Sequence, residues 1–383
     1  MINRVILLVI DGLGVGALPD AAEYGDAEAD TLAHLAEAVG GLTLPALESL
    51  GLGHVGVVKG LRLMAQPIGC FGRLGFRSKG LDALTGHWEL AGCVSDGRQG
   101  LSVPSIEETV VDELERIFGM PLLGKRLAAT AQVLREYGPE HLASKAPILW
   151  TESVETYHVA SHEQVLAPEE LYHRCREARK SLKRHGLRRI VAHVLKGQAE
   201  SLHQEARRDF AVEPPQQTML DLLNRASQIL IGVGRVGDLF AGRGLTRAVS
   251  LDSWSSVFEE VTGMFNRVPR GLIYANLNLL EGRPPEAAAS LHEFDRKLPE
   301  LLEQLRPGDL FLLTGDHGRD YSTKQGLPTR EFVPLIVTGP RLAQGVNLGT
   351  RASAADLGQT IVEALRADAL PVGDSFADAL NAG

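Results

Sequence analysis

Two stretches of unbroken aliphatic sequence, each ending on an acid, constrain the fold of this chain more than any other feature. Val5 to Ile10 is β-branched and apolar throughout and stops at Asp11; Leu310 to Leu313 runs through Thr314 and Gly315 to Asp316, His317 and Gly318. A strand that is apolar at every position is buried on both faces, which belongs to parallel sheets covered by helices on each side. Side chains at the carboxyl ends of such strands emerge into the crevice where α/β sheets hold ligands. Asp and His side by side combine hard oxygen with borderline nitrogen, a donor set suited to Zn²⁺ or Mn²⁺. The competing reading of the triplet is a helix-capping Asp with an incidental His.

Between these stretches, strand-like runs (Arg189 to Leu195, Ala226 to Val233, Gly271 to Asn276) alternate with helical patterns. The helical segments expected are Ser105 to Phe118, Pro168 to His185, Pro285 to Leu305 (kinked or split at Pro299) and Ala354 to Ala367. This alternation predicts a doubly wound α/β core. The polar, charged character from about Gly100 onward predicts an inserted α+β cap over 100–220, leaving 1–99 plus 221–383 as the core. Asp30 is placed to cap the helix that begins at Thr31.

Two glycine-rich turns need a reading. Gly12, Gly14 and Ala17 match G-x-G-x-x-A, and Gly232, Gly234 and Gly237 match G-x-G-x-x-G. Neither carries weight as a dinucleotide fingerprint: Pro19 falls where the phosphate-binding helix should run, and the fingerprint has no place for an acid at the strand end. The glycines after Asp11 instead let backbone pass close to metal or phosphate. Thr85, in Thr85-Gly86-His87-Trp88-Glu89 on a glycine-flanked turn before a helix, is placed as a nucleophile; the plainer reading is a capping Thr with a packed Trp.

Charge narrows the partners. With a net charge of −9 and a pI near 5.8, neither nucleic acid nor an anionic membrane is suggested. No apolar run reaches spanning length, and Met1 to Arg4 leads into a strand rather than a signal peptide. Cys70, Cys93 and Cys175 show no paired spacing and read as thiols of a reducing, cytoplasmic compartment.

Asp11, the Thr85 motif, Asp30-Thr31-Leu32, Asp316-His317-Gly318 and Thr329-Arg330-Glu331 together make the chain resemble the phosphopentomutases of the alkaline phosphatase superfamily, over nearly its whole length. That resemblance implies an alkaline-phosphatase-like core, two Mn²⁺ ions, a phosphorylated threonine corresponding to Thr85, and interconversion of ribose 1-phosphate and ribose 5-phosphate. It also implies that Asp11, Thr85, Asp316 and His317 hold the first ion. The family's second ion uses an Asp and a His from the loop after the strand ending here near Asn276, and a His where this chain has Pro328. That loop is shorter here and reads Leu277 to Arg283 without Asp or His, leaving Asn278 and Glu281 as possible replacement ligands. Only His292 and His317 follow residue 220, and His292 reads as a surface position.

In the cap, the sugar-contacting stretch becomes Thr151 to Thr156, with Glu152 introduced and Val154 where the family has an acid; Arg207 and Arg208 survive from a phosphate-approaching segment. The expectation is therefore a phosphopentomutase-like metalloenzyme with one divalent ion and altered activity, acting on a phosphorylated small molecule. The alternatives are a non-catalytic homologue that binds one ion as sensor or partner subunit, and an ordinary phosphopentomutase whose missing ligands come from elsewhere, for instance a neighbouring subunit.

Overall fold

The computed structural model describes residues 1–95, 106–153, 155–199, 201–324 and 327–381. They form two compact units. The first takes the described residues of Met1–Gly97, Pro214–Gly237 and Gly242–Gly383; the second takes those of Arg98–Glu213 together with Asp238–Ala241.

The first unit is built on an eight-stranded sheet. From edge to edge its strands are Asn347–Arg351, Cys70–Leu74, Val333–Thr338, Asp309–Gly315, Arg4–Ile10, Gly271–Leu277, Leu230–Val233 and Arg247–Val249. All run parallel except Val333–Thr338, which is antiparallel to both neighbours. At the centre, Arg4–Ile10 is buried at every position. Ile6, Leu8 and Ile10 face a cluster shared with the helices Thr31–Ala38, Trp254–Met264 and Pro284–Leu302. The alternate Val5, Leu7 and Val9, equally buried, point to the opposite side, as the two-residue period of a strand requires. On the helical layers, Ala355–Ala364 contacts both Ala83–Leu90 and Met219–Arg225.

Arg4 is the one charged residue in the central strand, and it is fully paired. Its guanidinium forks onto the Asp309 carboxylate (3.0 and 2.5 Å), donates to the Phe265 and Val268 carbonyls (2.7 and 2.8 Å) and lies 4.5 Å over the Phe265 ring. Both partners are almost wholly buried.

The long helix Pro284–Leu302 runs through Pro299 as one element, so the chain is not split there. Pro299 lies in the last turn, where the missing N–H costs a single hydrogen bond and few residues remain to be redirected. His292 on this helix is exposed.

The second unit has a five-stranded sheet in chain order: Leu123–Leu127, Ile148–Ser153, Thr156–His162, Arg189–Lys196 and His203–Ala211. The helices Glu108–Phe118 and Pro168–Ser181 cover one face, where Leu114, Phe118, Leu171, Cys175 and Ile190 pack, and Thr130–Ser144 covers the other around Val133 and Trp150. The edge strand His203–Ala211 falls in sequence that reads only as a polar passage. It is recruited by pairing to the buried strand Arg189–Lys196, not by apolar alternation of its own. Among the described residues, no helix is long and apolar enough to cross a membrane.

Candidate metal centre

The three central strands of the first unit end level with one another. Ile10 pairs with Leu277 on one side and with Gly315 on the other, and the Asp11 N–H continues the ladder to the Leu277 carbonyl (2.8 Å). This register puts Asp11 and Asp316 side by side, although each is reached from a different strand. Gly12 then turns the chain away with φ of +77°, a left-handed conformation that favours glycine, and a Cβ there would come 2.7 Å from Cβ of Arg319. The turn points the Gly12 N–H at Asp316 Oδ1 (2.9 Å). Residues 13–20 form loop and turns with no helix, so the G-x-G-x-x-A segment shapes this corner and is not a nucleotide-binding βα unit.

Asp11, Asp316 and His317 each place a ligand atom within 4.8 Å of the others, the one such convergent group among the described residues. His317 Nε2 is 3.9 Å from Asp11 Oδ1 and 3.7 Å from Asp316 Oδ2. Its Nδ1 donates to the Gly318 carbonyl (2.8 Å), which leaves the Nε2 lone pair facing the two carboxylates. Asp316 Oδ2 is buried and accepts no hydrogen bond. Burial drives the Asp316 carboxyl above its ordinary range, the neighbouring His317 opposes this and the Asp11 charge adds to it. Two buried carboxylates, one with an oxygen left over, and an imidazole with a free lone pair fit a divalent cation.

Around this cradle runs a chain of buried polar groups. Arg235 donates from Nη2 to Asp11 Oδ2 (2.5 Å) and from Nε to Asn276 Oδ1 (3.0 Å). Asn276 Nδ2 in turn donates to His87 Nε2 (3.1 Å), so the ring proton sits on Nδ1 and is given to the Tyr274 hydroxyl (2.6 Å). With Nε2 already accepting, His87 offers no proton to Asp316 Oδ2, 3.5 Å away. Arg319 brings a second guanidinium to within 3.6 Å of Asp11 Oδ1. Burial and the Asp316 charge together hold the Tyr274 hydroxyl well above its ordinary range.

Thr85 sits on the third residue of the helix Ala83–Leu90, not on a turn ahead of it. Asp82 is the cap: its Oδ1 accepts from both the N–H and the hydroxyl of Thr85 (3.0 Å each), so the helix begins earlier than the glycines suggested. The next residue, Gly86, abuts the main chain of Asp316. Glu89, one turn on, accepts from the N–H groups of Arg77 and Ser78 (2.8 and 2.7 Å) and from Ser353 (2.7 Å), which ties the helix to the rest of the unit.

Glu331 and Arg330 of the Thr-Arg-Glu motif hold the loops behind the cradle. Glu331 accepts from the Thr31 N–H (2.8 Å), the hydroxyls of Thr31 and Thr329 (2.7 and 2.6 Å) and the Gly16 N–H (3.3 Å). Arg330 forks onto Asp20 and donates to the carbonyls of Ser78 and Phe76.

The other residues that the sequence brings toward the site have the following partners. Asn278 donates to the Asp252 carbonyl and to exposed Glu281 (3.0 and 3.1 Å), and Glu281 is not part of the convergent group. In the second unit, Glu152 accepts from the N–H and hydroxyl of Thr130 (2.8 and 2.7 Å), satisfying a donor at the start of the helix Thr130–Ser144. Arg207 is forked onto Asp209 (2.9 and 3.2 Å), and Arg208 lies over the rings of Tyr172 and Phe210. Glu205 is exposed and flanked by Lys196 and His203. Val154 lies outside the described residues.

Arg235, Asn276 and His87, which are linked by hydrogen bonds to Asp11, and Asp82, which caps the helix of Thr85, were given no role by the sequence. Arg235 comes just after a strand, Leu230–Val233, of the same sheet, so the rule that found Asp11 would have found it too. The second glycine-rich segment thus carries this arginine, and the short helix Val236–Leu239 after it does not make a dinucleotide site.

A family model described as the Metalloenzyme superfamily matches residues 281–369. The phosphopentomutase of Syntrophotalea carbinolica is 38% identical, across 99% of this chain and 98% of its own. That of Clostridium kluyveri is 35% identical over 99% and 100%, and that of Dictyoglomus thermophilum 34% over 100% and 99%. Among solved structures, Leishmania mexicana phosphoglycerate mutase aligns with 98% of this chain and 97% of its own at 12% identity and a TM-score of 0.47. The likeness to the three phosphopentomutases runs from end to end at more than a third of positions, and by it the chain belongs to the phosphopentomutase family.

Proposed function

We propose that this protein is a phosphopentomutase-like phosphoryl-transfer enzyme in which one divalent ion, Mn²⁺ for preference, is held by Asp11, Asp316, His317 and Thr85. The observation that carries this reading is the buried Asp316 Oδ2 with no hydrogen bond, faced by the free Nε2 of His317. The name shared by the full-length relatives supports a pentose phosphate, and more broadly a phosphorylated small molecule, as substrate. Pro328 ahead of Thr329 offers no ligand, and the one convergent ligand group among the described residues speaks for a single ion.

A bound divalent ion supplies positive charge to the oxygens on which negative charge develops during transfer. The residues do the rest. Thr85 Oγ1 is the phosphoryl acceptor and donor: the new P–O bond forms to it as the bond to the sugar oxygen breaks, and the reverse step returns the group to a hydroxyl of the sugar. Asp82, already accepting from the Thr85 hydroxyl, takes its proton as the new bond forms and returns it to Oγ1 in the reverse step, while the departing sugar oxygen takes up a proton from solvent to become a hydroxyl. Arg235 and Arg319 stand beside Asp11, where their charges face that carboxylate.

Turnover of ribose 1-phosphate and of a panel of phosphate esters, with and without Mn²⁺, tests this reading against the Thr85→Ala variant. Ion-dependent turnover that falls roughly a thousandfold or more in Thr85→Ala is expected for loss of a nucleophile. A Thr85→Ala rate equal to that of the parent, or turnover indifferent to the ion, would sink it.

A further inference from the structure

Several buried polar groups among the described residues close on themselves: Arg4 with Asp309, Arg330 with Asp20, Glu331 with two hydroxyls and two amide N–H groups. Arg235 differs, because its guanidinium is spent on a carboxylate that the cradle also offers to an ion. We infer that Arg235 is a built-in cation of the metal centre, which shares Asp11 with the ion, limits the centre to one ion and holds that ion's affinity below what the ligand set alone would give. The inference rests on the reading of the cradle as a divalent-ion site.

The geometry is specific. Arg235 Nη2 meets Asp11 Oδ2 at 2.5 Å, while the other oxygen, Oδ1, faces His317 Nε2. Asp11 is therefore divided: one oxygen toward the ligand group, one closed by a guanidinium. The fork is fixed from behind by Asn276 Oδ1, and Asn276 is fixed by His87, which is fixed by Tyr274. Asn276, His87 and Tyr274 are all buried, and the Arg235 side chain is itself only 12% exposed. Its position is thus built by four residues, on three different segments of the chain, and is not a surface side chain that has drifted onto an acid.

Charge gives the consequence. The cradle holds two carboxylates and an imidazole, and Arg235 and Arg319 bring two positive charges to Asp11. One divalent ion adds to a set already near balance. A second would have to approach Asp11 from the side that Arg235 covers, against like charge and without a free oxygen there. Removing the Arg235 charge should accordingly tighten binding of the first ion, whereas a residue that merely oriented Asp11 would loosen it when removed.

The experiment is Mn²⁺ binding to the full chain at fixed pH, by titration calorimetry, with elemental analysis after equilibrium dialysis for stoichiometry. The variants are Arg235→Gln, which keeps donors for Asp11 and Asn276 but not the charge, and Arg235→Lys, which keeps the charge but not the fork; circular dichroism confirms that each is folded. Expected are one ion in the parent, a dissociation constant at least tenfold lower in Arg235→Gln, and a value in Arg235→Lys close to the parent's. Equal or weaker binding in Arg235→Gln, or two ions in the parent, overturns the role of Arg235 while leaving the metal reading intact. A parent chain that takes up no ion overturns both.

Discussion

Gly86 lies against the main chain of Asp316: a methyl group on its Cα would come 2.0 Å from the Asp316 carbonyl oxygen and 3.0 Å from its Cβ. The contact sets the distance between the helix that carries Thr85 and the strand that carries Asp316. A Gly86→Ala variant must push the two apart. A stability loss of about 1–3 kcal/mol is expected from the overpacking, with Mn²⁺ affinity about tenfold weaker because the cradle's support has moved. Denaturant unfolding and metal titration check the two effects; a variant with unchanged metal affinity would show that the cradle does not depend on this contact.

Arg4 and Asp309 are a buried pair, with four of the five guanidinium N–H groups engaged. Arg4→Met leaves Asp309 charged and uncompensated in the core, so a loss of about 3–5 kcal/mol is expected. Urea unfolding measures it directly. A loss of less than roughly 1 kcal/mol would mean that the carboxyl simply takes up a proton and is tolerated.

Glu331 is pushed up to about 7 by burial, against hydrogen bonds from Thr329 and Thr31 that lower it. The folded value lies above the unfolded one, so the folded chain binds the extra proton between about pH 4.5 and 7, and stability falls as pH rises through that window. The span corresponds to about 3 kcal/mol, complete below the unfolded value and lost above the folded one. Glu331→Gln places its amide toward the two hydroxyls, which can accept, and removes the titration. Its unfolding free energy should be flatter over this range than the parent's; identical pH profiles would exclude Glu331 as the group responsible.

Glu152 is committed to the start of the helix Thr130–Ser144. Glu152→Ala should cost about 1 kcal/mol, the usual size for losing a helix-end acceptor, and leave KM for a phosphate ester unchanged. A several-fold change in KM at constant stability would instead support a substrate-binding role for Glu152.

The sequence makes legible whatever depends on one segment at a time. Asp11 and Asp316 are readable because each ends a run too apolar to be anything but a buried strand, and the cap of the helix at Thr31 is readable because Asp30 bonds locally to Ala33. The rest depends on partners distant in sequence. His203–Ala211 is charged along its length and becomes a strand only because Arg189–Lys196 offers it an open edge. Arg207 and Arg208 look free to meet a phosphate until Asp209, Tyr172 and Phe210 are placed beside them. Arg235 is hidden by its own glycines, which match too many unrelated turns to direct attention to the residue between them.

The cradle joins two ends of one long loop: Gly12 and Asp316 touch across 304 positions of sequence. Only Asp316 and His317 stay together when the chain unfolds, so the unfolded form retains little affinity for the ion. Occupancy then acts almost wholly on the native state, adding about 2.7 kcal/mol when free ion is a hundred times its dissociation constant. On the proposed reading, supply of the ion would in that way govern how long the folded chain survives as well as how fast it works.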